Sequence, residues 1–388
     1  MRMNICELCS SISETYKDNA KKVVLINTSD VYDGKCTNHT FVDNKNLKGQ
    51  FKKTFRPNDI LYSEIRPANR RFAYIDFDTK DYIASTKLMV IRANKGVNPK
   101  YLYQLLRNNT TINTLQMLAE SRSGTFPQIT FSELSNIEID VPSEENQDLI
   151  VTILSSLDAK IETNNKLNEK LEEMAQAIFK SWFVDFEPFK DKPFHETELG
   201  MIPEGWEVGS LSDIATITMG QSPCGTSYNE NGEGIIFYQG RTEFGFRFPS
   251  VRLYTTAPSR FAEVGSTLMS VRAPVGDINM ALLRCCIGRG VASIKSNCDC
   301  DSYIYYLMKS LKKRFDIYNG EGTVFGSVGR DTLRGMLITI PPSSVISDFE
   351  MNISKIDSRI KTNELESKRL ASLRDTLLPR LMSGELTV

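Results

Sequence analysis

Histidine and long apolar runs are what this sequence has least of. Only two of its 388 residues are histidines, His39 and His195, and neither lies in a pattern that supplies the oriented partner that histidine catalysis needs. No stretch of eighteen or more apolar residues occurs, so no membrane-spanning helix is predicted. The first ten residues do not have the pattern of a signal peptide. These absences favour a cytoplasmic protein.

The net charge is also close to zero. The formal net charge is −1, whereas DNA binding by charge alone needs a clear excess of positive charge. The acidic excess is local, because residues 146–199 hold 11 acidic and 6 basic side chains. The rest of the chain is neutral to slightly basic, which permits DNA binding without indicating it.

Motifs for nucleotide, methyl-group or zinc chemistry are missing as well. Gly34-Lys35 lacks the spaced glycine and the hydroxyl residue of a P-loop. The only Pro-Pro pair, Pro341-Pro342, is followed by serine and not by the aromatic residue of an adenine methyltransferase motif. Cys6 and Cys9 have the spacing of a zinc knuckle but no second pair of ligands. No catalytic residue, metal or cofactor is therefore expected.

What the sequence does contain is a repeat of its own first half. Ile5–Leu8 aligns with Leu211–Ile214 at an offset of 206 residues, and from residue 126 onward the offset is 199. Two copies of this length indicate an internal duplication, not a solenoid. Further matches are Phe55 with Phe261 and Arg66 with Arg272 at offset 206, and Phe126 with Phe325, Leu134 with Leu333, Pro142 with Pro341 and Asp158 with Asp357 at offset 199.

Each copy predicts a mixed globular part followed by one long helix. The front part alternates short β-rich runs with Gly, Pro, Asn and Asp turns and contains one or two helices. It closes with an alternating apolar strand before Pro142 or Pro341. Behind each proline, apolar residues recur at alternating spacings of three and four, from Ile150 to Trp182 and from Ile353 to Leu381. This heptad pattern predicts a coiled coil.

The connection between the copies predicts how these helices pair. The first helix leaves one globular part and leads to the next, whereas the second can only return, so the two should be antiparallel. Asn164 and Asn363 occupy equivalent positions on the seam. A buried seam asparagine commonly fixes the register of such a pair; the alternative is that both are exposed on a frayed seam.

Three phrases of the sequence are distinctive. They are residues 179–188 (Phe-Lys-Ser-Trp-Phe-Val-Asp-Phe-Glu-Pro), residues 200–207 (Gly-Met-Ile-Pro-Glu-Gly-Trp-Glu) and the tail at 377–386. They resemble phrases of the specificity subunits of type I restriction-modification systems, and the order of the segments matches that family along the whole chain.

The resemblance implies an α+β fold. Two mixed α/β target recognition domains, residues 1–145 and 187–342, would form a tandem pseudo-twofold repeat. Two long helices, in residues 146–186 and 343–388, would separate them as an antiparallel coiled coil.

It also implies a function. Each domain would read one half of a bipartite, asymmetric target in double-stranded DNA, and the helices would set the gap and dock two methyltransferase subunits. Restriction subunits would join the full complex, and this chain would be a non-catalytic subunit without a cofactor. Two alternatives stay open: a coiled-coil adaptor with no DNA role, and the specificity subunit of a modification-only system.

Candidate DNA contacts are polar residues on loops, because arginine pairs best with guanine and Asn or Gln with adenine. Residues 121–128 and 322–330 precede the last strand of each copy, and a structural turn is the alternative interpretation there. For Arg66 and Arg272 the alternative is a shared ion pair. The full set is Arg66, Asn69, Arg70, Arg122, Thr125, Gln128, Gln239, Arg241, Arg272, Ser327 and Arg330.

Overall fold

The protein is described by a computed structural model that covers residues 2–17, 20–45, 49–122, 126–319, 326–382 and 385–386. The chain divides into two compact units. The first contains Met1–Glu162 and Glu366–Val388, and the second contains Thr163–Leu365. Among the residues covered, no helix combines the length and the apolar character needed to cross a membrane.

The first unit holds most of its strands before residue 94 and, apart from one short helix at Ile5–Leu8, its helices after that residue. Its helices are α1 (Ile5–Leu8), α2 (Pro99–Arg107), α3 (Asn109–Arg122), α4 (Phe131–Ser135), the start of α5 (Glu144–Phe183) and the end of α10 (Ser343–Met382). Its strands are β1 (Arg2–Asn4), β2 (Cys9–Ile12), β3 (Lys22–Ile26), β4 (Val31–Tyr32), β5 (Lys35–Cys36), β6 (Phe41–Asp43), β7 (Phe51–Lys53), β8 (Ile60–Ser63), β9 (Phe72–Tyr74), β10 (Tyr82–Ser85), β11 (Leu88–Ala93) and β12 (Glu138–Asp140).

Two four-stranded sheets organise this unit, in the orders β2-β11-β8-β9 and β6-β3-β10-β7. Strands β8 and β10 are buried at every residue, as expected for short apolar runs packed on both faces. Helix α2 begins at Pro99, where the side chain of Asn98 accepts hydrogen bonds from the N–H groups of Lys100 and Tyr101. This cap satisfies donors that a helix start otherwise leaves unpaired.

The second unit repeats this plan. Its helices are the end of α5, then α6 (Leu211–Ile214), α7 (Asp301–Ser310), α8 (Lys312–Asp316), α9 (Arg330–Arg334) and the start of α10 (Ser343–Met382). Its strands are β13 (Phe194–Thr197), β14 (Gly200–Pro203), β15 (Glu207–Ser210), β16 (Ala215–Met219), β17 (Tyr228–Asn229), β18 (Ile235–Tyr238), β19 (Leu253–Thr255), β20 (Phe261–Ala262), β21 (Thr267–Ser270), β22 (Ile278–Met280), β23 (Cys285–Ile287), β24 (Val291–Ser296) and β25 (Leu337–Ile340).

The sheets of the second unit match those of the first strand by strand. The order β16-β24-β21-β22 corresponds to β2-β11-β8-β9, and β19-β18-β23-β20 corresponds to β6-β3-β10-β7, with β17 added at one edge. In each unit one strand pair is parallel, β3 with β10 and β18 with β23. The predicted duplication and the α+β fold are both confirmed.

The start of each copy shows how local sequence produces the same turn. Asn4 and Glu7 form a capping box on α1, as Ser210 and Asp213 do on α6. Behind each box, the first helical N–H donates to a carbonyl just before the closing strand, from Ile5 to Ile137 at 3.0 Å. Short helices need such caps because few of their N–H groups have partners inside the helix.

One part of the sequence alignment is wrong by a residue. Ser63 pairs with Leu88 as Ser270 pairs with Val291, so β8 and β21 are 207 residues apart. Asn58 (φ 73°) and Gly265 (φ 81°) occupy the same left-handed position before these strands. Arg66 therefore corresponds to Ala273, and the matches of Arg66 with Arg272 and of Phe55 with Phe261 do not hold. The loops before these strands differ in total length by one residue, and chance identities at an offset of 206 gave an alignment that is one residue off.

The long helices α5 and α10 each contain 40 residues, which corresponds to about 60 Å. In the first unit, Asp158 of α5 accepts from Arg374 of α10 at 2.7 Å, and Lys160 lies 3.4 Å from Glu366. As the residue number rises along α5, the number of the partner residue on α10 falls. The antiparallel pairing is therefore confirmed in this unit.

The same direction holds in the second unit. Asn168 of α5 lies against Ile360 and Asn363 of α10, and Phe179 packs on Phe349 with ring centroids 5.7 Å apart. Asn164 and Asn363 are both buried, so the prediction that they lie on the seam is confirmed. The hydrogen bond of Asn363, however, goes to Asn168.

Candidate nucleic-acid interface

Two groups of loops that lie far apart in the sequence meet in each unit. We call these surfaces the first rim (residues 50–52, 64–70, 86–87 and 126–128) and the second rim (residues 220–222, 239–241, 271–273, 288–290 and 326–328). In the sequence these loops are separate candidate regions for DNA contact. The structure brings them together at the ends of strands β8 and β21.

Backbone hydrogen bonds hold the first rim together. The N–H of Arg66 donates to the carbonyl of Pro127 at 3.0 Å, and the N–H of Ile129 donates to Glu64 at 2.8 Å. The N–H of Glu64 donates in turn to Lys87 at 3.1 Å. The Arg66 turn, the Lys87 turn and residues 127–128 therefore form one surface.

The second rim has the same three bonds. The N–H of Ala273 donates to Gly326, that of Val328 donates to Val271, and that of Val271 donates to Gly290, each at 3.0 Å. Backbone bonds of this kind depend on chain geometry and not on side-chain identity. The two rims are therefore one framework built twice.

The side chains on this framework differ between the units. Arg66 corresponds to Ala273, Gln128 to Ser327, and Lys87 to Gly290, by the hydrogen bonds given above. Lys87 also donates to Gln128 at 3.4 Å and lies 3.8 Å from Glu64, whereas glycine offers no such contact. The units thus present different donors and acceptors from equivalent backbone positions.

Two predicted arginines already have acidic partners. Arg70 lies 2.8 Å from Asp33 in an ion pair and also donates to Asn109. Arg241 is paired with Asp277. Both guanidinium groups have a structural role in the protein as it stands.

Other predicted residues project into solvent. Arg66, Asn69, Gln239, Arg272, Ser327 and Arg330 are exposed, and Gln128 is half-buried. Arg66 and Arg272 pair with no carboxylate among the residues that the structure covers, so the shared ion pair that the sequence left open is not found there. Arg66 has a left-handed backbone, with φ 45°. Of the remaining two, Arg122 ends helix α3, and Thr125 lies outside the described residues.

Several rim residues carried no recognisable sequence signal. Arg289, Gln221 and Ser222 lie on the second rim, where the N–H of Arg289 donates to Ser222 Oγ at 3.3 Å. The sequence offered only one hint, because Arg289 stands between two glycines in an otherwise apolar run.

A buried arginine attaches the globular part of the second unit to both helices. Arg247 is 1% exposed and donates to Asp357 Oδ1 of α10 at 2.8 Å and to Glu172 of α5. Burial alone would raise the pKa of Glu172, but Arg247 and Lys309 outweigh it and hold that pKa below its usual range. The ion cluster thus fixes the position from which the second rim is presented.

In the first unit, other residues attach the globular part to the long helices. Asp158, the counterpart of Asp357 at offset 199, accepts from Arg107 of α2 at 2.9 Å and from Arg374 of α10 at 2.7 Å. Here the arginines come from helices, α2 of the globular part and α10, whereas in the second unit Arg247 comes from a loop. Within the described ranges, no group of three or more His, Cys, Asp or Glu side chains could hold a metal ion.

Comparisons with known proteins agree on one family. A family model described as the type I restriction modification DNA specificity domain matches residues 4–173. The chain is similar to the type I restriction enzyme HindI specificity subunit of Haemophilus influenzae, with 31% identity over 98% of each chain. It is also similar to the putative MjaX specificity subunit of Methanocaldococcus jannaschii, with 33% identity over 85% of this chain and 79% of the relative.

A solved structure supports the fold. The crystal structure of a type I restriction-modification S subunit from M. genitalium superposes with a TM-score of 0.53, 15% identity, and coverage of 98% of this chain and 95% of that one. At that identity the similarity concerns the fold alone.

Proposed function

Because this chain belongs to the family of type I restriction-modification DNA specificity subunits, we propose that it selects the DNA sequence on which a modification complex acts. The first recognition domain is assigned to residues 1–145 and the second to residues 187–342. Each reads one half of a bipartite, asymmetric target in double-stranded DNA. The chain itself contributes no catalytic group and no cofactor.

The observation that carries this proposal is the relation between the two rims. A shared backbone framework with different side chains suits two readers of different half-sites, because base identity is read by side chains at the base edges while the scaffold only positions them. The pairs Arg66 and Ala273, Gln128 and Ser327, and Lys87 and Gly290 differ in hydrogen-bonding capacity. An asymmetric target follows from that difference.

The helical segments, residues 146–186 and 343–388, are assigned the role of a spacer and docking platform. Two methyltransferase subunits bind there, and restriction subunits join the full complex. Supporting this role, the buried Asn168–Asn363 bond and the Asp158–Arg374 bond fix the register of α5 against α10 within each unit. A fixed register is needed if the gap between half-sites is to be a constant number of base pairs, about 3.4 Å each.

Base contacts are assigned to the predicted set. Arg66, Asn69, Gln128, Gln239, Arg272, Ser327 and Arg330 reach the DNA directly from the rims or next to them. Arg70 and Arg241 would first have to exchange a carboxylate for a DNA phosphate or base. Arg122 and Thr125 stay predictions from the sequence.

The test is the methylation pattern of the host genome. Deleting the gene should erase methylation at one split, asymmetric motif, and returning the gene on a plasmid should restore it. A control plasmid with a stop codon early in the gene should restore nothing. An unchanged pattern after deletion would refute the proposal.

A further inference from the structure

Arg289 is held on a tight turn at the centre of the second rim. The N–H of Val291 donates to the carbonyl of Gly288 at 3.0 Å, so Arg289 and Gly290 are the central residues of a β-turn. The N–H of Arg289 donates to Ser222 Oγ at 3.3 Å. Both ends of the turn are therefore fixed, and the base of the arginine side chain has little freedom.

Glycines let three backbone segments come into contact around this turn. A Cβ at Gly288 would lie 3.0 Å from Gln239 Cα, and one at Gly290 would lie 2.9 Å from the Gln239 carbonyl oxygen. At Gly220 it would lie 2.2 Å from the Gly288 carbonyl oxygen. Close backbone approach of this kind requires glycine. It places the side chains of residues 221, 239 and 289 on one small surface.

The exposed side chains of that surface are of the types that read bases. Arg289, Gln221, Gln239 and Arg272 are all exposed, and Arg272 follows Val271, whose N–H is bonded to Gly290. Arginine can donate two parallel hydrogen bonds to guanine O6 and N7, and glutamine can bond both to the amino group and to N7 of adenine.

Arg289 also differs in charge environment from three other exposed or half-exposed arginines of its unit. Arg241 is paired with Asp277, Arg252 with Glu243 and Arg284 with Glu263. Among the residues covered by the structure, no carboxylate pairs with Arg289. Its five donors are thus available to a ligand.

We propose that Arg289 reads a guanine in the half-site of the second recognition domain, through two hydrogen bonds to O6 and N7 in the major groove. This inference rests on the proposed function and adds the base and the residue. The corresponding residue of the first domain is Thr86, since Lys87 corresponds to Gly290. The guanine contact therefore belongs to one half-site only.

The experiment uses the full chain, co-expressed with the modification subunits of its own system in a host that lacks it. Methylated motifs are read by genome sequencing for the wild type, Arg289→Ala and Arg289→Lys. Lysine keeps the charge but loses the paired donors. The control is Arg284→Ala, which removes the same charge from an exposed arginine that is paired with Glu263.

Both Arg289 variants should relax one guanine position in one half-site. Preference for guanine there should fall by about 5- to 150-fold, the other half-site should be unchanged, and Arg284→Ala should keep the wild-type motif. Thermal unfolding of all variants should match the wild type, because both arginines are exposed.

Two results would overturn the assignment. One is an unchanged motif in Arg289→Ala; the other is a uniform loss of methylation at all sites with the motif intact, which would make Arg289 a phosphate contact. Failure of the proposed function gives a different result, since the wild-type complex itself would then methylate no split motif.

Discussion

Arg247 donates a hydrogen bond to Asp357 at 2.8 Å from a position that is almost fully buried. A second bond from the same guanidinium reaches Glu172 on the other long helix, and its Cζ atom lies 4.1 Å from the centroid of the Tyr305 ring. A loop of the globular part thus supplies the cation between two helical carboxylates.

Replacing Arg247 with methionine should destabilise the protein. It leaves Asp357 without its cation and leaves Glu172 with Lys309 alone, and breaking a buried pair in this way costs about 3–5 kcal/mol. The measurement is urea unfolding followed by tryptophan fluorescence, because Trp182 and Trp206 both lie in the second unit. Arg284→Met, which breaks an exposed pair, should cost about 1 kcal/mol or less. Equal losses in the two variants would show that the buried cluster contributes nothing special.

Acid should weaken the same cluster. Burial opposes the charged form of Glu172, yet Arg247 and Lys309 hold its pKa below the ordinary glutamate value of 4.5. A carboxyl with a lowered pKa stabilises the fold above its unfolded pKa and loses that contribution as the pH falls through the folded pKa. The stability of the wild type should therefore decline as the pH falls below about 4.5.

Glu172→Gln should be less stable at neutral pH and should show a shallower decline in acid. Urea unfolding between pH 7 and pH 3 measures both effects. Glu173→Gln is the matched control, since Glu173 is exposed on the next position of the helix, and its pH profile should follow the wild type. Identical slopes for Glu172→Gln and the wild type would contradict this account.

The Asn168–Asn363 bond, 2.8 Å long and buried, should set register more than stability. Asn363→Leu leaves the side-chain oxygen of Asn168 buried without its donor, which costs about 1–3 kcal/mol. Replacing both with leucine should recover that loss or exceed it, because a seam asparagine specifies register at a cost in stability. In the methylome, the double variant should accept more than one gap length between half-sites. A single unchanged gap would mean that other contacts fix the register.

Lengthening both helices should lengthen the gap. Seven residues inserted after Glu162 and seven before Glu366, at the boundaries of the two units, add about 10 Å to each helix, which corresponds to roughly three base pairs. The half-sites themselves should not change. Altered bases in either half-site would show that the helices do more than set distance.

Much of this architecture could be predicted from the sequence because it follows periodic patterns. The heptads predicted the long helices and the seam position of Asn164 and Asn363, and the connection between the two copies predicted that the helices are antiparallel. The alignment was wrong by a residue near Arg66 because a loop of different length precedes it. The partner of Asn363 was missed because both Asn164 and Asn168 lie on the buried stripe.

The rims could not be predicted as surfaces. They arise where residues 64–66 meet 127–129, and where residues 271–273 meet 326–328, and no local pattern encodes such long-range pairing. Arg289 was missed for the same reason, since its surroundings come from Ser222 and Gln239 at distant positions. A glycine on each side of an arginine was the one local signal, and glycine alone marks many turns.

The buried cations come from different parts of the chain in the two units, and this difference affects which globular parts can be exchanged between related genes. In the first unit, exchange of the globular part by recombination would remove Arg107 of α2 from Asp158, but Arg374 and Asp158 both lie in the long helices, so that pair would stay intact. In the second unit, Arg247 lies in the exchanged segment while Glu172 and Asp357 stay behind. An incoming domain that brings no cation at that place would leave two buried negative charges facing each other. Second domains should therefore be interchangeable only among lineages that carry such a cation, whereas first domains are freer to move.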